Sequence, residues 1–345
     1  MNPSKLSVPR IGTAIIGAGH YVPQRVLTND DLSRMCDTSD AWITTRTGIK
    51  ERHIAAETEN SGTMAFEAAR RAIADAGIEA GQIDHIIVCT VTPEMALPST
   101  ACILQHRLGL SEKGIPAYDL VAACSGFIYG LATAHAHMQV SDAEYVLLVG
   151  VDTLSRLTDY TDRSTAVLLG DAAAAVVLKR ATPEENGILF TKMGADGSGR
   201  EMIWATGGLN RPRDARPGPP GSDYFMKMDG SKVFKMAVTR LQQLVDEALT
   251  VCGLRQEDVA LIVPHQANRR ILDAVADKMC IPASKMYINI DRFANTSAAS
   301  IPVAYDEVRQ QGLVKPGDLM LMLAFGAGLT WGSAVVREAP PFLRT

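Results

Sequence analysis

The sequence predicts an α/β fold assembled from two topologically similar halves, and three features predict it. Short apolar runs rich in β-formers alternate with longer stretches of helical period, the rhythm of βαβ units around a largely parallel, buried sheet. The second half repeats the first: AGIEAGQIDHIIV (76–88) is matched by CGLRQEDVALIV (252–263), and GDAAAAVVL near 170 by GLTWGSAVV near 328. A chain of 345 residues is long enough to bury an extensive core without staples.

In chain order, TAIIGAG reads as the first strand, 61–77 as a helix, DHIIVCT as a strand and 99–109 as a helix. PAYDLVA, a helix over 124–139 and the strand EYVLLVGV complete the first half. In the second, a helix over 231–252 lines up Phe234, Ala237, Val238, Leu241, Leu244, Val245 and Ala248 on one face. ALIVPHQ, a helix to about 280, another over 295–311 and DLMLMLAFG follow. Gly77 and Gly253 each end a helix and stand six residues before an apolar residue that opens a strand. The halves therefore divide as 1–180 and 181–345, the first half carrying the cysteine discussed below and the second the histidine and asparagine. Early in the second half, around GLNRPRDARPGPPGSDY (208–224), the stretch 207–221 reads as a long exposed loop, either an inert linker or a gate over a site.

Composition narrows the function classes. The formal net charge of -4 gives no reason to expect nucleic-acid binding, although a local basic patch can still serve an acidic partner. MNPSKLSVPR lacks the apolar core of a signal peptide, and no apolar run approaches the roughly 20 residues of a membrane-spanning helix. Six cysteines, at 36, 89, 102, 124, 252 and 280, form no CxxC pair and suggest neither a zinc site nor a disulfide framework. The reading is a reduced, cytoplasmic protein with no membrane attachment.

Three residues carry candidate chemistry. Cys124, in YDLVAACSGFIYG, falls where a strand meets a helix. A helix beginning at 124 would favour the nucleophilic thiolate through its unpaired N–H groups and macrodipole, and Ala122, Ala123, Ser125 and Gly126 leave room for an acyl group. The other cysteines read as inert buried thiols. His265, in LIVPHQAN, emerges at the carboxyl end of a strand, where open α/β folds build sites. The remaining histidines lie in helix bodies or without chemical company. Asn295 opens NTSAASIPVAYDEV at a joint equivalent to that of Cys124, where a plain helix cap is the alternative role. AFGAGLTWGSAVV (324–336) is a glycine-rich turn feeding a strand, which suits backbone donation to an oxyanion better than a dinucleotide fingerprint, since the latter must open a helix. Cys, His and Asn in this order, with about 140 residues between the first two, also occur in papain-like hydrolases, but the C-G-[SA]-C-[WY] signature is missing around Cys124.

DTSDAWITTRTGIKERHIA (37–55), AACSGF (122–127), GDAAAAV (170–176), VPHQANRRI (263–271), NTSAASIP (295–302) and AFGAGLTWGSA (324–334) together resemble β-ketoacyl-[acyl-carrier-protein] synthase III, the initiating condensing enzyme of type II fatty acid synthesis. The resemblance implies a thiolase-like fold, five layers αβαβα from two pseudo-symmetric halves, as a homodimer. It implies that Cys124 takes a starter acyl group from acyl-coenzyme A, and that His265 and Asn295 donate hydrogen bonds to the malonyl thioester carbonyl of malonyl-acyl carrier protein. The oxyanion would be held by the N–H groups of Cys124 and Ala327, with Phe325 beside the thiol. Trp42 and Arg163 would hold the adenine of coenzyme A, with Arg46 near its phosphates and Asn268 in the hydrogen-bond network. Leu97 would end the acyl pocket across the dimer, and Arg269 and Arg270 would dock the acidic carrier protein. No cofactor and no metal are implied, since decarboxylation itself generates the carbanion.

Three departures from the family pattern stand out. Ala327 replaces a common glycine but only its backbone is required, Ser231 replaces an asparagine of the coenzyme A channel, and Leu97 stands where many members carry Phe. A polyketide-type or other specialised acyltransferase of the same fold, using the same Cys, His and Asn, is the alternative function.

Overall fold

The computed structural model describes residues 11–207, 219–340 and 343. Its strands are β1 Gly12–Tyr21, β2 Val26–Thr28, β3 Glu51–His53, β4 His85–Cys89, β5 Ala117–Leu120, β6 Tyr145–Thr153, β7 Asp171–Ala181, β8 Ile188–Ala195, β9 Ile203–Trp204, β10 Lys227–Met228, β11 Val259–Pro264, β12 Leu319–Gly326 and β13 Thr330–Arg337. Its helices are α1 Asn29–Ser33, α2 Asp40–Thr47, α3 Ser61–Ala76, α4 Thr100–Arg107, α5 Gly126–Val140, α6 Arg163–Ala166, α7 Gly230–Cys252, α8 Arg269–Lys278, α9 Ile290–Phe293 and α10 Ser300–Gln310.

Two large sheets organise the chain, ordered β1-β7-β6-β4-β5 and β8-β13-β12-β11. Beyond β11 an isolated parallel bridge between Ile262 and Met286 takes the place that β5 holds beside β4, so the two orders correspond strand for strand. α5 and α10 fill the space between the sheets: Phe127, Ile128, Leu131, Ile301, Tyr305 and Val308 pack there against Ile87, Leu148, Val176, Val263, Met322 and Val336. α3 and α4 cover the outer face of the first sheet and α7 and α8 that of the second. The layering is αβαβα, the thiolase-like arrangement.

Each repeat seen in the sequence has a structural counterpart. Gly77 and Gly253 cap α3 and α7 in the left-handed region (φ +71° and +64°), and each leads through a 3-10 turn into β4 or β11. The sheets are mixed rather than largely parallel, because only three of their seven pairings are parallel. β7 and β13 return antiparallel beside β6 and β12, and both sheets are covered on both faces. The unbroken apolar runs thus report double-sided burial, not strand direction. Among the described residues no helix is long and apolar enough to cross a membrane.

Candidate active site

The site is built from two matching turns. Ala123–Ser125 precedes α5 and Ser297–Ala299 precedes α10, both as 3-10 turns. Each holds one non-glycine residue in the left-handed region, Ala123 at φ +48° and Ser297 at +52°, a conformation that costs energy and concentrates at functional sites. Cys124 follows Ala123, and Ala298 is therefore its counterpart in the other half. Asn295 lies three residues earlier, so the expected equivalence of Cys124 and Asn295 is offset by that much. The helices also start later than the sequence suggests, α5 at Gly126 instead of 124 and α10 at Ser300 instead of 295. The tight turns are indistinguishable from helix by period.

The β12–β13 turn closes over Cys124. A Cβ on Gly326 would stand 2.7 Å from Cys124 Cβ and 3.2 Å from its Sγ, so only glycine lets the two backbones approach. The Thr330 hydroxyl lies 3.0 Å from the carbonyl oxygens of both Ala122 and Ala327, fixing the two turns to one another. Desolvation pushes the Cys124 thiol up to about 12, against the opposing pull of the Ser297 side chain and the N–H groups of Cys124 and Ala327. The thiol is therefore protonated at rest, a correction to the thiolate expected from a helix starting at 124: that helix starts two residues on, and loss of water outweighs the favourable dipoles.

His265 directly follows β11, and its N–H donates to the Leu323 carbonyl at 2.7 Å, prolonging the β11–β12 ladder. The next residue locks the segment: Gln266 N–H donates to Ser300 Oγ at 2.7 Å, and its side-chain amide to the carbonyls of Pro264 and Tyr287. Neither ring nitrogen of His265 has a partner among the described residues, and burial lowers its pKa to about 4, so the imidazole is neutral. Asn295 is tied by its backbone to Leu168 and Gly170, and its Oδ1 accepts from Ser297 N–H at 2.9 Å. That leaves its Nδ2 to donate elsewhere.

Cys124, His265, Asn295 and Phe325 line one cleft of about 1000 Å³, which extends past Ser231, Asn268 and Arg270 to Trp42 and Arg46. The Trp42 ring lies 4.5 Å from the Arg46 guanidinium and 5.2 Å from that of Arg163. Arg163 itself bonds the carbonyl and carboxylate of Asp37. Asn268 caps α8, its side chain accepting from Arg270 N–H at 2.9 Å. Arg269 stands apart from the cleft, pairing with Asp273 at 2.7 Å. Leu97 lines neither this cleft nor the second cavity that reaches Cys124 and is 82 % exposed. Of the loop over 207–221, residues 208–218 lie outside the described residues.

Three features escaped sequence reasoning. A second cavity of about 630 Å³ also reaches Cys124, Asn295 and Ala327. Asp152, fully buried, accepts from Thr90, from the backbone and hydroxyl of Thr92, and from the N–H groups of Val91 and Ala298. Ser297 lines the second cavity with Cys124 and couples electrostatically to both Cys124 and Asp152. An acid closing the apolar strand YVLLVGVD was the available signal for Asp152. Among the described residues no three His, Cys, Asp or Glu side chains are grouped to hold a metal ion.

Residues 118–197 match the family model 3-oxoacyl-[acyl-carrier-protein (ACP)] synthase III, and 249–338 that of its C-terminal part. The β-ketoacyl-[acyl-carrier-protein] synthase III of Xanthomonas campestris pv. campestris is 47% identical over 328 residues, 95% of this chain and 99% of that protein. That of Escherichia coli is 49% identical over 325 residues, 94% of this chain and 99% of that protein. The crystal structure of 3-oxoacyl-[acyl-carrier-protein] synthase III from Aquifex aeolicus superposes with a TM-score of 0.87 at 45% identity, covering 94% of this chain and all of that one. A fold with matched halves, the Cys, His and Asn at one cleft, and relatives aligned from end to end lead to one placement: the chain belongs to the β-ketoacyl-[acyl-carrier-protein] synthase III family.

Proposed function

We propose that the protein is an acyltransferase that condenses a starter acyl-coenzyme A with malonyl-acyl carrier protein to 3-oxoacyl-acyl carrier protein, releasing coenzyme A and carbon dioxide and initiating fatty acid synthesis. The observation that carries this is the meeting of Cys124, His265 and Asn295 on the wall of one cleft. Cys124 Sγ attacks the starter thioester, its proton leaving with the coenzyme A thiolate. The neutral imidazole of His265 has one N–H to give and Asn295 has Nδ2, and together they stabilise the enolate oxygen as malonyl loses carbon dioxide. The enolate carbon then attacks the acyl-cysteine, and the N–H groups of Cys124 and Ala327 hold the oxyanion, such donors being worth about 2.7–4 kcal/mol each. Collapse expels the Cys124 thiolate. The carbanion comes from decarboxylation, so the proposed chemistry calls on no cofactor.

In this reading the halves 1–180 and 181–345 contribute the nucleophile and the His/Asn pair respectively, which the gap between β7 and β8 supports. Phe325 screens the thiol. Trp42, Arg46, Arg163 and Asn268 take coenzyme A, and Arg269 and Arg270 face the acidic carrier protein. A second copy of the chain completes the molecule along β5, whose outer edge is unpaired among the described residues and flanked by the exposed apolar side chains of Met95, Leu97, Tyr118 and Val121. In the cell we place the enzyme in the cytoplasm.

Two variants separate the roles. Cys124→Ser abolishes the acyl mass increment on the intact protein after incubation with acyl-coenzyme A. His265→Ala keeps that increment but loses condensation by at least about a hundredfold, and a variant that still condenses at the wild-type rate refutes the role.

A further inference from the structure

We propose that the starter this enzyme prefers is a straight medium-length acyl chain, about eight carbons, rather than acetyl. The proposal rests on the reading of Cys124 as the acyl carrier and adds what that carrier accepts. The second cavity, about 630 Å³, opens on Cys124, Asn295 and Ala327 and is walled mainly by apolar side chains, among them Val91, Leu154, Leu169, Ile203, Met226 and Met228. A methylene displaces about the 30 Å³ that one water takes in the liquid, so the two carbons of acetyl would fill on the order of a tenth of this space. Eight carbons need roughly 240 Å³ on the same basis, which the cavity of the single chain holds.

Wall chemistry points the same way. Among the described residues two charged side chains line the cavity: Glu94 is held in a two-pronged pair with Arg107 at 2.9 and 3.0 Å, and Arg156 gives one N–H to the Glu59 carbonyl. Glu94 is thus neutralised and draws no ammonium tail, and most of the remaining wall is apolar, so the occupant is apolar along most of its length. Each methylene moved from water onto such a wall is worth about fourfold in binding, and a short starter leaves the wall without contacts. The main cleft, with Trp42, Arg46 and Arg270, remains free for the thioester's carrier.

The test is competition for the thiol. Purified full-length protein is given acetyl-, isobutyryl- and octanoyl-coenzyme A at equal, subsaturating concentration, and the rate at which each mass increment appears on Cys124 is followed. Octanoyl is expected to label at least about tenfold faster than the other two. Val91→Phe and Leu169→Phe, each filling the cavity from a different wall, are expected to lower the octanoyl-to-acetyl ratio at least about tenfold. Acetyl or isobutyryl labelling as fast as octanoyl in the wild type overturns the proposal, as does an unchanged ratio in both variants. Failure of all three thioesters to label Cys124 strikes instead at the acyl-carrier reading beneath it.

Discussion

A buried imidazole without a partner resists protonation, and a neutral ring is what a thioester carbonyl needs beside it: one N–H to donate and no charge that must be kept solvated. For His265 this has a measurable cost. Its folded pKa of about 4 lies below the usual 6.5, so as pH falls the unfolded chain takes up the proton first. The stability tied to this ring is complete above about pH 6.5 and drains away toward pH 4, by about 3 kcal/mol in all. Between about pH 7 and about pH 4.5, urea unfolding of the wild type should lose roughly 2 kcal/mol more than that of His265→Gln, and parallel pH slopes would count against a desolvated ring. Asp152 supplies the complementary case. Burial pushes its carboxyl up while a cage of hydrogen bonds holds it down, and Asp152→Ala leaves buried donors of Thr90, Val91 and Thr92 unsatisfied. A loss of about 3 kcal/mol or more in unfolding free energy is expected, and a change under about 1 kcal/mol would show those donors finding water. At this scale Cys124, His265 and Asn295 were legible because each occupies a joint between elements. Asp152 and Ser297 were not, since an acid at a strand end and a serine among small residues acquire meaning only from what the fold sets against them.

Elements were readable by their ends more than by their partners. Gly77 and Gly253 marked two helix ends correctly because only glycine enters the left-handed region at little cost. The starts of α5 and α10 were drawn two and five residues early, because a 3-10 turn continues the apolar spacing of the helix behind it. Strand direction was illegible, for Val- and Ala-rich runs buried on both faces look alike in parallel and antiparallel ladders. Contact between the turn after β12 and the turn before α5 was equally hidden from periodicity, although AFGAGLTWG gave away the glycines, and it was expected only because the family resemblance set Ala327 and Phe325 beside Cys124. Gly326→Ala tests that contact. The added methyl meets Cys124 Cβ at 2.7 Å, and both segments are backbone-tied, so overpacking of about 1–3 kcal/mol is expected together with a fall in Cys124 acylation of at least about tenfold. A Gly326→Ala protein that acylates normally would mean the two turns can part without consequence.

At the scale of the molecule, the repeat was visible in sequence because each half solves the same packing problem with the same order of strands, whereas the five layers were expected from the family resemblance. Among the described residues β5 terminates the first sheet with one edge unpaired, and the side chains around it are apolar and accessible, Leu97 at 82 % and Val121 at 74 %. An open edge of this kind invites pairing with another chain and is rarely left bare. Its counterpart beside β11 is only a bridge at Met286, so the halves differ where the proposed twofold contact requires them to differ. Val121, Met95 and Ala96 also line the second cavity, so the proposed contact would also cover the proposed acyl chain. Tyr118→Lys combined with Leu97→Asp sets charge on an exposed surface that folding does not need buried, so the variant should fold, with far-ultraviolet dichroism as in the wild type. Sedimentation should show the wild type as a dimer and the variant as a monomer at micromolar concentration, and the monomer should lose most of its preference for longer starters because the cavity now opens to water. A double variant that still sediments as a dimer would move the contact elsewhere and return the cavity rim to solvent.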